Sequence, residues 1–393
     1  MNPAARAALA ALLALAAPAL PAAPARAEGG KEAPRPEAPK EQFKDEVQVA
    51  GARAPATGVE VVYEGWDRVD WKAKSGPAQS KPGAEVLSVK YGDQPTPFTR
   101  GMDLFRTGRW ADAEVEFRGV ASAVSAGKAR KFWEARANAY IGECRRRQAA
   151  MEKSDAKFKE AAESFQEAAR GEPKGPLAEM IQIGLAEALA GAKDWDGASR
   201  VLDEFRKAAV EAGRPAWEAR TRLARGRILE AKGEPGSAAQ EYEELARAAQ
   251  QAASRAQDPA LRAALEEYRV SGLVSQGWAL FARAEKTSNA ADLDAARKAF
   301  DALGPATGGA PAGRAAAMNG IGAILLLEGK PWKALERFVE VEVTMYQVPD
   351  EVARALWYKA ETCRRLGNSA GREQAFKDLS EFHPESEWAS RAR

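Results

Sequence analysis

Residues 226–242 read GRILEAKGEPGSAAQEY, and the spacing of four of them decides the fold. Gly226 is followed by Gly233 seven residues on, by Ala238 five further, and by Tyr242 four beyond that. The same register returns as Gly101, Gly108, Ala113 and Phe117, and again as Gly322, Gly329, Ala334 and Phe338. In a helix, residues three and four apart share a face. Gly101, Leu104 and Phe105 therefore lie on one face of a first helix. Gly108 falls just past its end, where a left-handed cap favours glycine. Trp110, Ala113, Phe117 and Val120 then line one face of a second helix. Gly101 and Ala113 are small so that two antiparallel helices can approach closely. Self-similarity at this period is the signature of a helical repeat array.

The unit resembles the tetratricopeptide repeat, whose pattern runs small–aromatic–Gly–aromatic–Ala–aromatic–small, often with a closing Pro. Leu229 and Leu245 complete the copy around Gly226, and Leu325 and Val341 the copy around Gly322. A further copy has Ala186, Leu189, Trp195, Ala198, Leu202 and Phe205, with Lys193 in place of the turn glycine. The last keeps Ala360, Gly367, Phe376, Leu379 and Pro384, with Arg372 where Ala is expected. Two copies are stretched: Gly142 to Ala161 and Gly277 to Ala296 are nineteen residues apart instead of twelve. The surplus is about two helical turns, so the apolar face stays in register and longer helices are expected. Their turns should fall near Lys153–Asp155 and Lys286–Asn289, with Ser154 and either Ser288 or Asn289 as N-caps. The resemblance implies an all-α, right-handed TPR-like helical solenoid over 93–393.

The chain has 393 residues, 45% of them hydrophobic, enough for a continuous core. Its 58 basic and 56 acidic residues leave a formal charge of only +2, which gives no electrostatic reason to expect nucleic acid as a ligand. Residues 1–27 are expected to be a secretory signal peptide: Arg6 supplies the basic start, Ala7 to Leu20 is apolar but short for a membrane span, and Ala25-Arg26-Ala27 fits a cleavage site. No later stretch is long and apolar enough to span a bilayer. The mature chain is therefore expected to be exported, to the periplasm or cell surface. Residues 28–57, with Pro34, Pro36 and Pro39, are too polar and proline-rich to offset ordering entropy and are expected to form a disordered tether.

From 58 to 92 the period changes to two. Val59, Val61 and Tyr63 alternate with polar residues, as do Val69 and Trp71, and Leu87, Val89 and Tyr91. Three short strands are expected, with a turn at Gly65-Trp66 and a longer loop over Ser75–Gly83. Such a module needs support from the first helix pair, near Phe98. It serves either to dock a partner or to cap the solenoid, and an exposed solenoid end favours the cap.

Catalytic and metal chemistry are not evident. The single histidine, His383, sits before Pro384 at a helix end, and Cys144 and Cys363 lie in separate repeats, where buried free thiols are expected. No cofactor is implied, and the protein is read as a non-enzyme. In the resembled family the first helices line a concave groove, which implies a protein or peptide partner. The positions flanking the small residue of each first helix then become the candidate partner-binding residues: Glu143, Arg146, Glu187, Arg227, Asn319, Glu361 and Arg364. Asn can pair with a peptide backbone and Arg can fork onto carboxylates. The reading is an exported adaptor for another envelope protein. The alternative is a cell-wall or glycan-binding protein using Trp66, Trp71 and Trp388.

Overall fold

The computed structural model describes residues 44–73, 76–303 and 311–392. The expected signal peptide and the expected tether through residue 43 lie outside them. Seven helix hairpins follow one another along the described chain. They are α1 (Thr96–Arg106) with α2 (Trp110–Arg118), then, after the short α3 (Val120–Ser125), α4 (Phe132–Glu152) with α5 (Asp155–Gly171). Next come α6 (Ala178–Gly191) with α7 (Trp195–Glu211), α8 (Pro215–Lys232) with α9 (Pro235–Arg255), and α10 (Pro259–Thr287) with α11 (Ala290–Asp301). The series ends with α12 (Pro311–Leu327) and α13 (Pro331–Thr344), α14 (Pro349–Arg365) and α15 (Ser369–Phe382), and a short closing α16 (Glu387–Ala392).

The small residues show why the hairpins close. A Cβ at Gly101 would lie 2.7 Å from the Phe117 ring, and one at Gly322 would lie 2.6 Å from Phe338. The second-helix aromatic fills the space the first-helix glycine leaves open. Phe165 is clasped between two successive first helices at Gly142 and Gly184, and Phe300 likewise between Gly277 and Gly320. Phe117, Phe165, Tyr242, Phe300 and Phe338 are all fully buried, so this row of rings is the spine of the core.

The stretched copies turn where expected. Lys153 takes a left-handed conformation at φ 52°, and the Ser154 side chain accepts from Lys157 N to cap α5. Ser288 does the same at φ 56°, and Asn289 Oδ1 accepts from Ala291 N to cap α11. Lys193, standing where glycine is usual, is held at φ 67°. The last hairpin departs from the register. Arg372 is exposed and stacks 5.4 Å over Phe376, while Ala375 and Leu379 form the buried face of α15. Gly371 provides the close approach instead, 3.0 Å from Cys363 Sγ at its would-be Cβ.

Successive first helices, α4, α6, α8, α10, α12 and α14, pack on one another, whereas the second helices make no comparable contact among themselves. The array therefore curves with its first helices on the inside.

The N-terminal sheet is larger than the three strands expected. Its order is β4-β3-β2-β1-β5, all neighbours antiparallel. The strands are β1 (Asp45–Val49), β2 (Ala56–Glu64), β3 (Arg68–Lys72), β4 (Gln79–Pro82) and β5 (Val86–Lys90). This corrects the tether boundary at 57: β1 and the start of β2 belong to the sheet. Val47 is buried against Val59, Val61, Val69 and Trp71, which gives β1 the apolar anchor its composition hides. The fourth strand falls inside the expected 75–83 loop. Its side chains are all exposed, so it carries no apolar period to read.

Two arginines fasten the sheet to the helices. Arg130 bonds Asp45 and Asp93 with both ends of its guanidinium (2.6–2.8 Å) and Val61 O at 3.0 Å. Arg136 on α4 joins Glu64 at 2.6 Å and Glu172 at 2.9 Å, beneath the Tyr91 ring. Burial opposes the charge on both arginines, yet the surrounding carboxylates hold each guanidinium above its ordinary pKa. The sheet also reaches past the first hairpins. Trp66 N donates to Lys174 O at 2.9 Å, and Arg214 donates to Trp66 O. It therefore runs along the connections between repeats, touching three in succession.

Candidate protein-binding surface

The inner face is built from side chains next to the small residue of each first helix. On α4, Glu143 accepts from Arg146 at 2.8 Å and from Arg147 at 2.7 Å, and Arg146 crosses to Glu187 on α6 at 3.1 Å. Three of the expected residues thus form one chain of charges bridging two repeats. Burial would raise the Glu143 pKa, but the two guanidiniums outweigh it and hold the carboxyl below its ordinary range. On the next rung Glu179 of α6 faces Arg220 of α8 at 3.5 Å. Here burial prevails over the arginine, and the Glu179 pKa is raised. Arg227 is exposed, with no carboxylate at ion-pair distance among the described residues. Glu361 pairs with Arg364 of its own helix, and Arg365 adds a contact at 3.7 Å.

Two expectations need correction. Asn319 is not available to a peptide: it is 0% exposed, and its Nδ2 donates to both Glu351 O and Glu351 Oε2 at 2.9 Å. The reason is its helix, α12, which runs between α10 and α14 with small residues on its inner side. Trp278 of α10 stacks on Tyr358 of α14 at 5.9 Å, and Arg354 lies 4.7 Å over Trp278 and 5.3 Å over Trp388. Arg354 also pairs with Glu351 at 2.9 Å, so the carboxylate that holds Asn319 is tied into this cluster. Glu143 is likewise enclosed, so it positions Arg146 and Arg147 and does not face a ligand.

The tryptophans proposed for a glycan also change. Trp71 is 3% exposed in the sheet core, and Trp388 is 7% exposed against α14. Only Trp66 of that trio is partly open. Trp332 is the conspicuously exposed tryptophan, at 67%, on the outer side of α13.

Sequence reasoning missed Arg220, Glu179 and Arg354. Each lies about six residues from the small position, nearly two turns away, where spacing alone does not separate an inner face from a flank. Trp278 directly follows Gly277 and could have been assigned by the rule used for Arg227.

The chain is a tetratricopeptide-like solenoid. No protein-family model and no curated protein sequence matches it. Solved structures of similar outline include PilW, titled a widely conserved type IV pilus biogenesis factor, at 14% identity over 64% of this chain and 97% of that one, with a TM-score of 0.37. A Rap protein complexed with competence and sporulation factor gives 13%, 76%, 76% and 0.41. The P58(IPK) TPR domain gives 15%, 75%, 95% and 0.25. Likenesses this loose carry no argument about what the solenoid binds. Among the described residues no helix is long and apolar enough to cross a membrane, and no group of three or more His, Cys, Asp or Glu could hold a metal ion. Both cysteines are buried and unpaired, and burial pushes the Cys144 thiol up to about 12.

Proposed function

We propose that this protein is an exported, non-catalytic scaffold that holds another envelope protein, or a peptide of one, against the inner face of its solenoid. The observation that carries the reading is the continuous row of first helices, cross-tied by Arg146–Glu187 and Glu179–Arg220. Such ties fix the groove before a partner arrives, which lowers the ordering cost of binding. Arg227 stands in the middle of the row as an exposed cation with no carboxylate at ion-pair distance among the described residues, Glu230 one turn on being its nearest electrostatic partner. It is the anchor for an acidic group on the partner, with Arg364 and Glu361 further along. Export is inferred from residues 1–27 alone, and the envelope as the partner's location follows from it.

The test is affinity capture from the native host's envelope with the mature chain and with an Arg227→Glu, Arg364→Glu variant. One dominant protein captured by the first bait and lost from the second supports the reading. Equal capture by both baits, or none, counts against the inner face. The glycan alternative is weakened by the burial of Trp71 and Trp388, and purified wall polymer in the same assay checks it.

A further inference from the structure

We propose that a second anchor for the partner lies where the sheet meets the solenoid, and that it takes a carboxylate-bearing segment, an acidic residue flanked by apolar ones, onto Arg214. The proposal rests on the protein-partner reading above and adds a separate site to it. A groove of about 510 Å³ opens between the β2–β3 turn and the α7–α8 and α9–α10 connections. Its apolar walls are Trp66, Pro82, Ala212, Pro215, Trp217 and Leu261. It is preformed: Trp66 is pinned by Lys174 O and by Arg214, and its ring meets Trp217 edge-on at 5.9 Å.

Arg214 is the anomaly in this groove. Its guanidinium donates to a neutral carbonyl, Trp66 O, and lies 4.7 Å over the Trp217 ring, but no carboxylate sits at ion-pair distance among the described residues. Arg130, Arg136 and Arg146 are each closed by carboxylates, whereas among the described residues Arg214 has one protein acceptor, Trp66 O, for its five N–H donors. Burial pushes its pKa below the ordinary arginine value, and the more distant Glu179 and Asp67 offset this only in part.

The two acids lining the groove are already engaged. Asp67 accepts from Tyr63 Oη at 2.7 Å and pairs with Lys174 at 3.8 Å, and Asp258 Oδ1 accepts from Ala260 N at 3.0 Å as the cap of α10. Asp258 keeps its charge at the N-terminus of α10, where the helix dipole offsets it, so Arg214 is the cation of the groove with donors still open, and a carboxylate could take it in a forked pair. Apolar walls suit the neighbouring side chains of a peptide. They suit a sugar less well, because Trp217 is already flanked by Arg214 and Phe205, and Trp66 by Lys174 and Trp217.

The experiment uses the full chain labelled with 5-fluorotryptophan, with the Trp66 and Trp217 resonances assigned through Trp66→Phe and Trp217→Phe. Two probe peptides are titrated, acetyl-Ala-Leu-Asp-Leu-Ala-amide and its Asn counterpart. The expected result is that the Asp peptide shifts both resonances and binds about fivefold tighter than the Asn peptide. That preference disappears in Arg214→Gln and survives in part in Arg214→Lys, which keeps the charge and the contact with Trp66 O. Arg227→Glu leaves it intact, which separates this groove from the inner face. Equal affinity for the two peptides, no movement of Trp66 and Trp217, or a response to neutral chitobiose in their place would overturn the proposal.

Discussion

At the scale of single residues, some glycines of the hairpins are steric and others are conformational. Gly322 is steric, with the Phe338 ring where a Cβ would go, so Gly322→Ala must displace a fully buried aromatic. We expect a loss of about 1–3 kcal/mol, the usual cost of overpacking. Gly329 is conformational: it closes the same hairpin at φ 75° with open space around it, and Gly329→Ala should cost about 1 kcal/mol from backbone strain alone. Urea unfolding of the two variants separates the causes. Glu143 makes a prediction with a sign. Its pKa is depressed in the folded state, so its contribution is complete above the ordinary glutamate range and is lost as pH falls through the folded value. Glu143→Gln should cost about 2 kcal/mol at pH 7, in line with charge-assisted hydrogen bonds, and the gap to the parent should narrow as the pH falls below the ordinary glutamate range. A gap that persisted at low pH would mean that packing, not charge, sets the role of Glu143.

At the scale of elements, the sheet is a brace. Arg130 ties β1, through Asp45, to the start of the repeats, and both Asp45 and Asp93 are buried. Arg130→Ala would leave two buried carboxylates without their partner, and a loss of about 3–5 kcal/mol is expected. Hydrogen exchange should then rise across β1, β2 and the start of α4 while α12 to α15 stay protected. The helix hairpins were legible in the sequence because their period and their small-residue register are local. Ser154 and Asn289 were readable for the same reason, since a cap is decided within a few residues of chain. Strands β1 and β4 were not. Glu46-Val47-Gln48-Val49 does alternate, but it abuts a proline-rich stretch, and what orders it is Arg130, 85 residues away from Asp45. Asn319 departs from the expectation for a similar reason: spacing places it near the inner face, but Glu351, which holds it, comes from another helix.

At the scale of the whole molecule, each hairpin touches mainly its neighbours, so stability is a sum of local units and interfaces. The closing helix α16 covers the last first helix with Trp388. Trp388→Ala should cost about 3–5 kcal/mol locally, and hydrogen exchange should loosen α14 and α15 while α4 and α5 keep their protection. Uniform loosening would mean the array behaves as one cooperative body. The same curvature that puts first helices inside is what makes a groove, and the function argued for the protein depends on that face and not on the outer one. The most direct measurement places a photocrosslinking benzoylphenylalanine at Arg227, on the inner face, or at Val343, which is exposed on α13. Irradiation follows in the native host. The account predicts one discrete crosslinked protein from position 227 and none in common from position 343. The same partner captured from 343 alone, or equally from both, would contradict it.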